Sequence, residues 1–208
     1  MSRNPTSLPV VTLVDALFIP RALWQEALLI LSGSVLIGLM AQVTIPLPFT
    51  PVPITGQTFA VLLVGAWYGS QRGALTVALY LLEGVLGLPV FAGGTSGLGR
   101  LLGPTGGYLI GFVAAAWIVG RRCERGWDRR VSTAALAMLI GNGGIYLCGL
   151  PWLALFVGPE RSLMAGLWPF IPGDLIKLLL AAVALPAGWQ LIRLRASPGH
   201  QDEQKKRI

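Results

Sequence analysis

Six apolar segments, separated by short connections that carry most of the charge, constrain this chain more than any other feature. A helix that spans a membrane needs about 20 consecutive apolar residues. Only 12% of the 208 residues are charged, whereas a soluble domain carries about 25%. The sequence therefore predicts an all-α membrane protein with six transmembrane helices, at residues 24–43, 57–69, 73–90, 107–120, 132–157 and 171–194.

The positions of the sixteen Lys and Arg residues predict how these helices are oriented. Two precede the first segment, one joins the second to the third, five join the fourth to the fifth, and five follow the sixth. The opposite connections hold only Arg100 and Arg161, and Lys177 lies at the head of the sixth segment. Because positive residues stay on the cytoplasmic side of a membrane, both termini are expected in the cytoplasm. We expect one six-helix domain over residues 1–195 and a polar, basic cytoplasmic tail over 196–208.

The three connections predicted on the external side differ from those on the cytoplasmic side. They are rich in Gly and Pro and nearly free of charge, and they cover residues 45–56, 91–107 and 158–173. Long loops on a rigid scaffold often carry binding functions. The sequence therefore predicts that these loops fold over a pocket that is loaded from outside.

Asp174 and Lys177 are an acid and a base that follow Pro172 and Gly173 at the start of the last apolar segment. Residues three apart share one face of a helix, and ionisable groups at the edge of a membrane helix are costly to bury. In one interpretation Asp174 caps the helix while Lys177 pairs with it or extends outward. The helix dipole disfavours a cation in the first turn, which speaks against that interpretation. In the other, both groups point into a cavity and bind a small molecule.

Other polar or small residues in the apolar segments have two interpretations each. Asn142 and Tyr146, four residues apart, place an amide and a phenol on one helix face, where they line a cavity or satisfy a buried backbone group. Glu83 either couples transport to an ion or bonds to a neighbouring helix. Ser34 and Gly38 form a pair of small residues that lets helices approach closely, either inside the bundle or at an interface with a partner subunit.

Motifs bear on the catalytic alternatives. Gly94-Thr95-Ser96-Gly97 matches the GxSG pattern of rhomboid proteases, but such an enzyme needs a histidine within the membrane as general base. His200 is the only histidine and lies in the tail, so this class fails, although a Ser96–Lys177 dyad stays open. No GxxxxGK[ST] motif is present to hold nucleotide phosphates, so ATP cannot drive transport through this chain alone. The two cysteines lack the spacing of a metal site, and we expect no metal and no cofactor.

Four blocks of sequence, in the same order along the chain, resemble the BioY family. They are Pro51-Val-Pro-Ile-Thr-Gly-Gln-Thr58, Gly87-Leu-Pro-Val-Phe-Ala-Gly93, Gly103-Pro-Thr-Gly-Gly-Tyr-Leu-Ile-Gly-Phe112 and Pro172-Gly-Asp-Leu-Ile-Lys177. The resemblance implies a biotin-specific S component of an energy-coupling-factor (ECF) transporter. Such a chain is a six-helix bundle that binds biotin with high affinity at its external side. The resemblance also implies that the chain is not an enzyme.

The resemblance also implies partners and a location. The partners are the lipid bilayer, a coupling membrane protein and ABC-type ATPase subunits that energise biotin uptake, and nucleic acid is not among them. The location is the cell membrane, in a bacterium. Two alternatives remain, namely a stand-alone biotin carrier that uses no ATPase and a membrane enzyme with Ser96 or Asp174 in catalysis.

The resemblance assigns the ligand to particular residues. Asp174 is expected to accept a hydrogen bond from a ureido N–H of biotin, and Lys177 to donate to the ureido carbonyl or to the carboxylate. Arg100 is the only cation in its loop, and its expected contact with the carboxylate rests on charge, not on the family pattern. Four further residues are expected to line or cover the pocket: Phe91, Tyr108, Asn142 and Tyr146.

Overall fold

The computed structural model describes residues 12–18 and 22–196, and these residues are mostly helical. The predicted tail over 196–208, with His200, lies outside the described residues except for residue 196. In chain order the elements are α1 (Leu13–Leu17), α2 (Leu23–Gln42), β1 (Thr44–Ile45), β2 (Ile54–Thr55), α3 (Gln57–Tyr68), α4 (Ser70–Val85), α5 (Leu98–Leu102), α6 (Gly106–Cys123), a 3-10 helix (Trp127–Arg129), α7 (Val131–Val157), α8 (Pro159–Gly166) and α9 (Ile171–Ala196).

Each of the six predicted segments corresponds to one long helix, namely α2, α3, α4, α6, α7 or α9. Among the described helices, three are long and apolar enough to cross a membrane: Leu23–Gln42, Val131–Val157 and Ile171–Arg193. Helix α3 is apolar but has only 12 residues, and most of these are buried. Helix α4 ends at Val85, five residues before the predicted end, and Gly87 follows in a turn with φ +105°. A residue with a side chain rarely adopts that backbone conformation.

Glycines allow the central helices to pack backbone against backbone. A Cβ atom added at Gly65 of α3 would lie 2.6 Å from the Ala116 carbonyl oxygen of α6. One added at Gly120 of α6 would lie 2.4 Å from the Ser70 nitrogen at the start of α4. Because membrane helices gain little from hydrophobic association, such close van der Waals packing holds them together.

Ser34 and Gly38 belong to this internal packing, and the predicted partner interface at these positions is not supported. Both residues are buried in α2. The Ser34 hydroxyl donates to Glu83 Oε1 of α4 at 2.9 Å, and a Cβ atom at Gly38 would lie 3.4 Å from Val90. The small side chains therefore serve contacts within the chain, and they leave no surface for another subunit. Glu83 likewise bonds to a neighbouring helix.

The loops predicted to be external gather at one end of the bundle, which we call the site end. Strands β1 and β2 pair antiparallel there, with Thr44 opposite Thr55. The Thr50 hydroxyl donates to the Ala165 carbonyl of α8 at 2.8 Å, which ties the hairpin loop to the connection before α9. The loops therefore contain short strands and helices, β1, β2, α5 and α8, that the sequence analysis did not predict.

The opposite end, which we call the arginine end, holds α1, the α3–α4 turn, the 3-10 helix and the last turns of α9. Arg72 forms ion pairs with Asp15 of α1 at 2.6 Å and with Glu26 of α2 at 2.8 Å. Asp128 in the 3-10 helix is fully buried and accepts a hydrogen bond from Trp189 Nε1 of α9 at 2.5 Å. These contacts join five separate parts of the chain, and they close this end of the bundle.

Candidate ligand-binding site

A cavity lies beneath the loops of the site end, between α3, α6, α7 and α9. It contains about 700 Å³ of atom-free space, counted to its open mouth, and its wall is mainly apolar with a few polar groups, as is usual for small-molecule sites. The structure places all seven predicted ligand-binding residues in its wall: Phe91, Arg100, Tyr108, Asn142, Tyr146, Asp174 and Lys177.

Among the polar wall residues that the sequence analysis missed, three are close together in sequence, namely Thr55, Gln57 and Thr58. They lie at the junction between β2 and the first turn of α3. A signal was available, since Gln57 and Thr58 are adjacent polar residues at the head of an apolar segment, within one of the family blocks. The role of Thr55 and Thr58 was not visible because it depends on a contact with Lys177 of α9, more than 100 residues away.

Asp174 lies inside the first turn of α9, not at its cap, because its own N–H donates to the Phe170 carbonyl at 2.9 Å. Its side chain is largely buried and faces two donors. Tyr146 of α7 donates a short hydrogen bond to Oδ2, and Lys177 donates to Oδ1 at 3.3 Å. A carboxylate has about four acceptor positions in total. Asp174 therefore keeps acceptor capacity for a ligand N–H.

Lys177 is held by three acceptors. Its Nζ atom lies 2.9 Å from the Thr55 carbonyl, 2.9 Å from Thr58 Oγ1 and 3.3 Å from Asp174 Oδ1. A lysine ammonium has three N–H donors and no acceptor, so the protein occupies all three. Lys177 does not extend outward, as one interpretation of the sequence proposed. A ligand acceptor that approaches Nζ must displace a protein acceptor.

Asn142 of α7 contributes a polar atom that no protein group satisfies. Its side chain faces the cavity, its residue is only 6% exposed, and Oδ1 has no hydrogen-bond partner among the described residues. An unsatisfied buried polar atom costs roughly 1–3 kcal/mol. The interpretation that Asn142 satisfies a backbone group is therefore wrong, and its amide is open to a ligand.

Aromatic rings form the apolar walls. Tyr108 donates to the Gly166 carbonyl at 2.9 Å and packs edge-to-face on Tyr146 at a centroid distance of 6.2 Å. Phe91 is fully buried and packs edge-to-face on Tyr80 at 5.6 Å. Gly84 makes room for it, since a Cβ atom there would lie 2.2 Å from the Phe91 ring. Phe91 is therefore a fixed wall.

Arg100 on α5 is the one cavity cation besides Lys177 in the described wall. Its Nε donates to Thr95 Oγ1 at 2.9 Å, and no carboxylate of the described residues lies within 4.0 Å of its guanidinium. A guanidinium has five N–H donors. Most of its hydrogen-bonding capacity is therefore free for an anion.

Membrane-length helices around a cavity of this size and polarity define an α-helical membrane protein with a candidate small-molecule site. The fold is similar to the crystal structure of the S-component for biotin from an ECF-type ABC transporter. The TM-score is 0.70 and the identity 27%, and the match covers 86% of this chain and 97% of that one.

Sequence comparisons give the family. The biotin transporter BioY of Rhodobacter capsulatus is 44% identical over 171 residues, which is 71% of this chain and 88% of the relative. The biotin transporter BioY of Rhizobium etli is 36% identical over 177 residues, 80% of this chain and 95% of the relative. The model of the BioY family matches residues 12–194. The chain belongs to the BioY family.

Proposed function

We propose that this chain is the biotin-binding S component of an ECF transporter and mediates biotin uptake. One observation carries the proposal: an acid with spare acceptor capacity, an unsatisfied amide and a free guanidinium line the same cavity in a member of the BioY family. Biotin presents two ureido N–H donors, a ureido carbonyl, a thioether ring and an aliphatic tail that ends in a carboxylate. The cavity matches these groups in kind.

The hydrogen-bond capacities divide the ligand between the residues. Asp174 accepts a ureido N–H, because its carboxylate keeps free acceptor positions. Asn142 offers its amide to the same ring, and Arg100 offers its free N–H groups to the tail carboxylate. The rings of Tyr108, Tyr146 and Phe91 enclose the apolar part of the ligand.

The arrangement in the membrane is also part of the proposal. All six long helices span a bacterial cell membrane as one domain, the site end faces outward, and both termini are cytoplasmic. Support comes from the positive residues, since the last turn of α6 and the loop to α7 hold five arginines together, whereas Arg100 and Arg161 are the bases of the site-end loops. A coupling membrane protein and ABC-type ATPase subunits energise uptake. The chain does not alter biotin chemically.

Calorimetric titration of the purified protein in detergent tests the binding. We expect tight binding of biotin, weaker binding of desthiobiotin, which keeps the ureido ring and lacks the thioether, and no binding of lipoate, which lacks the ureido ring. Equal affinity for lipoate and biotin would refute the assignment of Asp174 and Asn142 to the ureido group. Absence of biotin binding would refute the function.

Uptake of labelled biotin into cells tests the energy source. Cells that express this chain but lack every coupling and ATPase subunit are expected to take up none, and restoring those subunits is expected to restore uptake. Sustained uptake without them would identify a stand-alone carrier. Recovery of chemically altered biotin would identify an enzyme.

A further inference from the structure

We propose that Thr58 contacts the ligand and carries the influence of Lys177 to it. The Thr58 hydroxyl accepts from Lys177 and donates its own hydrogen to the ureido carbonyl. This inference rests on the proposed function, since it assigns a second polar group of the same ligand. Lys177 is then a positioning residue that acts through Thr58.

In the hydrogen bond between Lys177 and Thr58, Lys177 is the donor. The two atoms, Nζ and Oγ1, are 2.9 Å apart and belong to helices α9 and α3. An ammonium cannot accept a hydrogen bond, so the hydroxyl oxygen must be the acceptor. The hydroxyl hydrogen of Thr58 remains, and among the described residues the hydroxyl donates no hydrogen bond.

The hydroxyl hydrogen of Thr58 is within reach of a ligand in the cavity. Thr58 lines the cavity, as do Thr55, Asp174 and Lys177. Since a hydroxyl rotates about its C–O bond, its hydrogen turns to whatever acceptor enters the cavity. The ammonium on the other side of the oxygen withdraws electron density from the O–H bond and strengthens the donor. Thr58 therefore offers a charge-assisted donor.

A direct contact from Lys177 to the ligand would cost more hydrogen bonds than a contact from Thr58. All three N–H donors of Lys177 are engaged, at 2.9, 2.9 and 3.3 Å. A direct bond to the ligand carbonyl would break one of them, and the buried partner would lose its donor. A bond from Thr58 breaks none. The ligand carbonyl is therefore satisfied at lower cost through the hydroxyl.

Side-chain hydrogen bonds hold the junction between β2 and α3 that carries Thr58. Gln57 is buried, its side-chain nitrogen donates to the Tyr80 hydroxyl, and its Oε1 accepts from the Thr55 hydroxyl at 3.2 Å. The Tyr80 hydroxyl donates in turn to the Val90 carbonyl at 3.2 Å. These bonds hold the chain immediately before Thr58. The hydroxyl is thus held in place before a ligand arrives, which lowers the cost of binding.

Thr58→Val tests the proposal because valine keeps the shape and removes the hydroxyl. We expect biotin affinity to fall roughly 10- to 100-fold, and Thr58→Ser to restore it to within a few-fold of wild type. Thr76→Val is the matched control, since Thr76 is also a helix threonine but is fully buried, and its hydroxyl bonds to the Arg72 carbonyl away from the cavity. The control is expected to bind biotin like wild type.

A second ligand separates contact from structural support. In 2-iminobiotin a cyclic guanidine replaces the urea, and at neutral pH it is a protonated guanidinium with no acceptor, so Thr58→Val should lower its affinity much less than that of biotin. Unchanged biotin affinity in Thr58→Val, or equal losses for the two ligands, would overturn the role of Thr58. If wild type binds no biotin, the proposed function fails instead, and the two failures are distinguished.

Discussion

Asp174 at the site end and Asp128 at the arginine end share one kind of hydrogen bond but differ in burial and in their other neighbours. Each accepts a hydrogen bond from an aromatic side chain, Tyr146 for one and Trp189 for the other. Asp174 also has an ammonium partner and a cavity in front of it. Asp128 is fully buried, and in the part of the chain that the structure describes its second oxygen has no hydrogen-bond partner and lines no cavity. Asp174 therefore has a cation partner and open space in front of it, whereas Asp128, which joins the 3-10 helix to α9, is enclosed.

The same contrast holds for the surroundings of the two acids. At the site end, free polar groups face one cavity. At the arginine end, the groups are consumed by the protein: Arg72 is shared by two carboxylates, and Arg129 lies 4.6 Å over the Trp189 ring. Variants at the site end should therefore change affinity, and variants at the arginine end should change stability.

The largest expected effect is that of Asp174→Asn. Biotin affinity should fall about 100-fold, because the variant replaces a charged acceptor and leaves Lys177 without its counter-charge. Titration calorimetry measures the loss. Asp128→Asn makes the same chemical change at the other end and should bind biotin like wild type. Equal losses of biotin affinity in the two variants would show that the two ends do not differ in their effect on binding.

Asn142→Leu should separate affinity from stability at the site end. We expect roughly 10-fold weaker biotin binding, from the loss of one hydrogen bond. The thermal unfolding temperature without biotin should stay the same or rise, because the unsatisfied amide oxygen is removed. A parallel drop in both quantities would show that Asn142 supports the fold.

Arg72→Gln should have the converse effect at the arginine end. The arginine is partly exposed and binds two carboxylates, so its loss should lower the free energy of unfolding by about 1 kcal/mol. Under conditions in which the variant is fully folded, its affinity for biotin should not change. Weaker binding by the folded variant would show that the two ends are coupled.

The smallest expected effect is the pH dependence of Asp128→Asn. Burial raises the pKa of Asp128 above its ordinary value, although the bond from Trp189 opposes this. The folded state therefore favours the protonated acid, and the stability that this acid contributes at low pH is lost as pH rises through the raised pKa. Relative to wild type, Asp128→Asn should gain stability as pH rises from about 4, the ordinary value, through the raised pKa. Thermal unfolding across that range measures the difference.

Glu124→Gln is the control with the opposite sign. Burial opposes ionisation of Glu124, but hydrogen bonds from the Ser70 N–H and hydroxyl and from Arg121 outweigh it and lower the pKa. Its stabilising contribution is present above the ordinary pKa and is lost as pH falls. Relative to wild type, Glu124→Gln should therefore lose stability as pH rises. Parallel slopes for the two variants would contradict both assignments.

The sequence predicted the long helices and seven of the nineteen residues in the cavity wall, because local patterns and family blocks indicate both. Apolar length located α2, α7 and α9, and the spacing of Asp174 and Lys177 put both groups on one helix face. The first block of the family resemblance contains Thr58, but nothing near it in sequence shows its bond to Lys177, which spans 119 positions. Contacts of that range depend on how helices are arranged in space.

Small-residue patterns and helix ends show the same limit. The pair of Ser34 and Gly38 correctly indicates a close approach, but the pattern does not identify the neighbour, which is the chain's own Glu83 and Val90. The end of α4 depends on a glycine turn beyond Val85, although the apolar run continues to residue 90. Hydropathy alone does not detect a backbone turn.

The free guanidinium of Arg100 has a consequence for rates. It is held to the protein by Thr95 and has no carboxylate of the described residues nearby, so its positive field extends into the cavity mouth. A field of this kind speeds the diffusional encounter with an anion, and dissolved salt screens it. Biotin should therefore associate more slowly as ionic strength rises, and Arg100→Gln should remove most of that dependence.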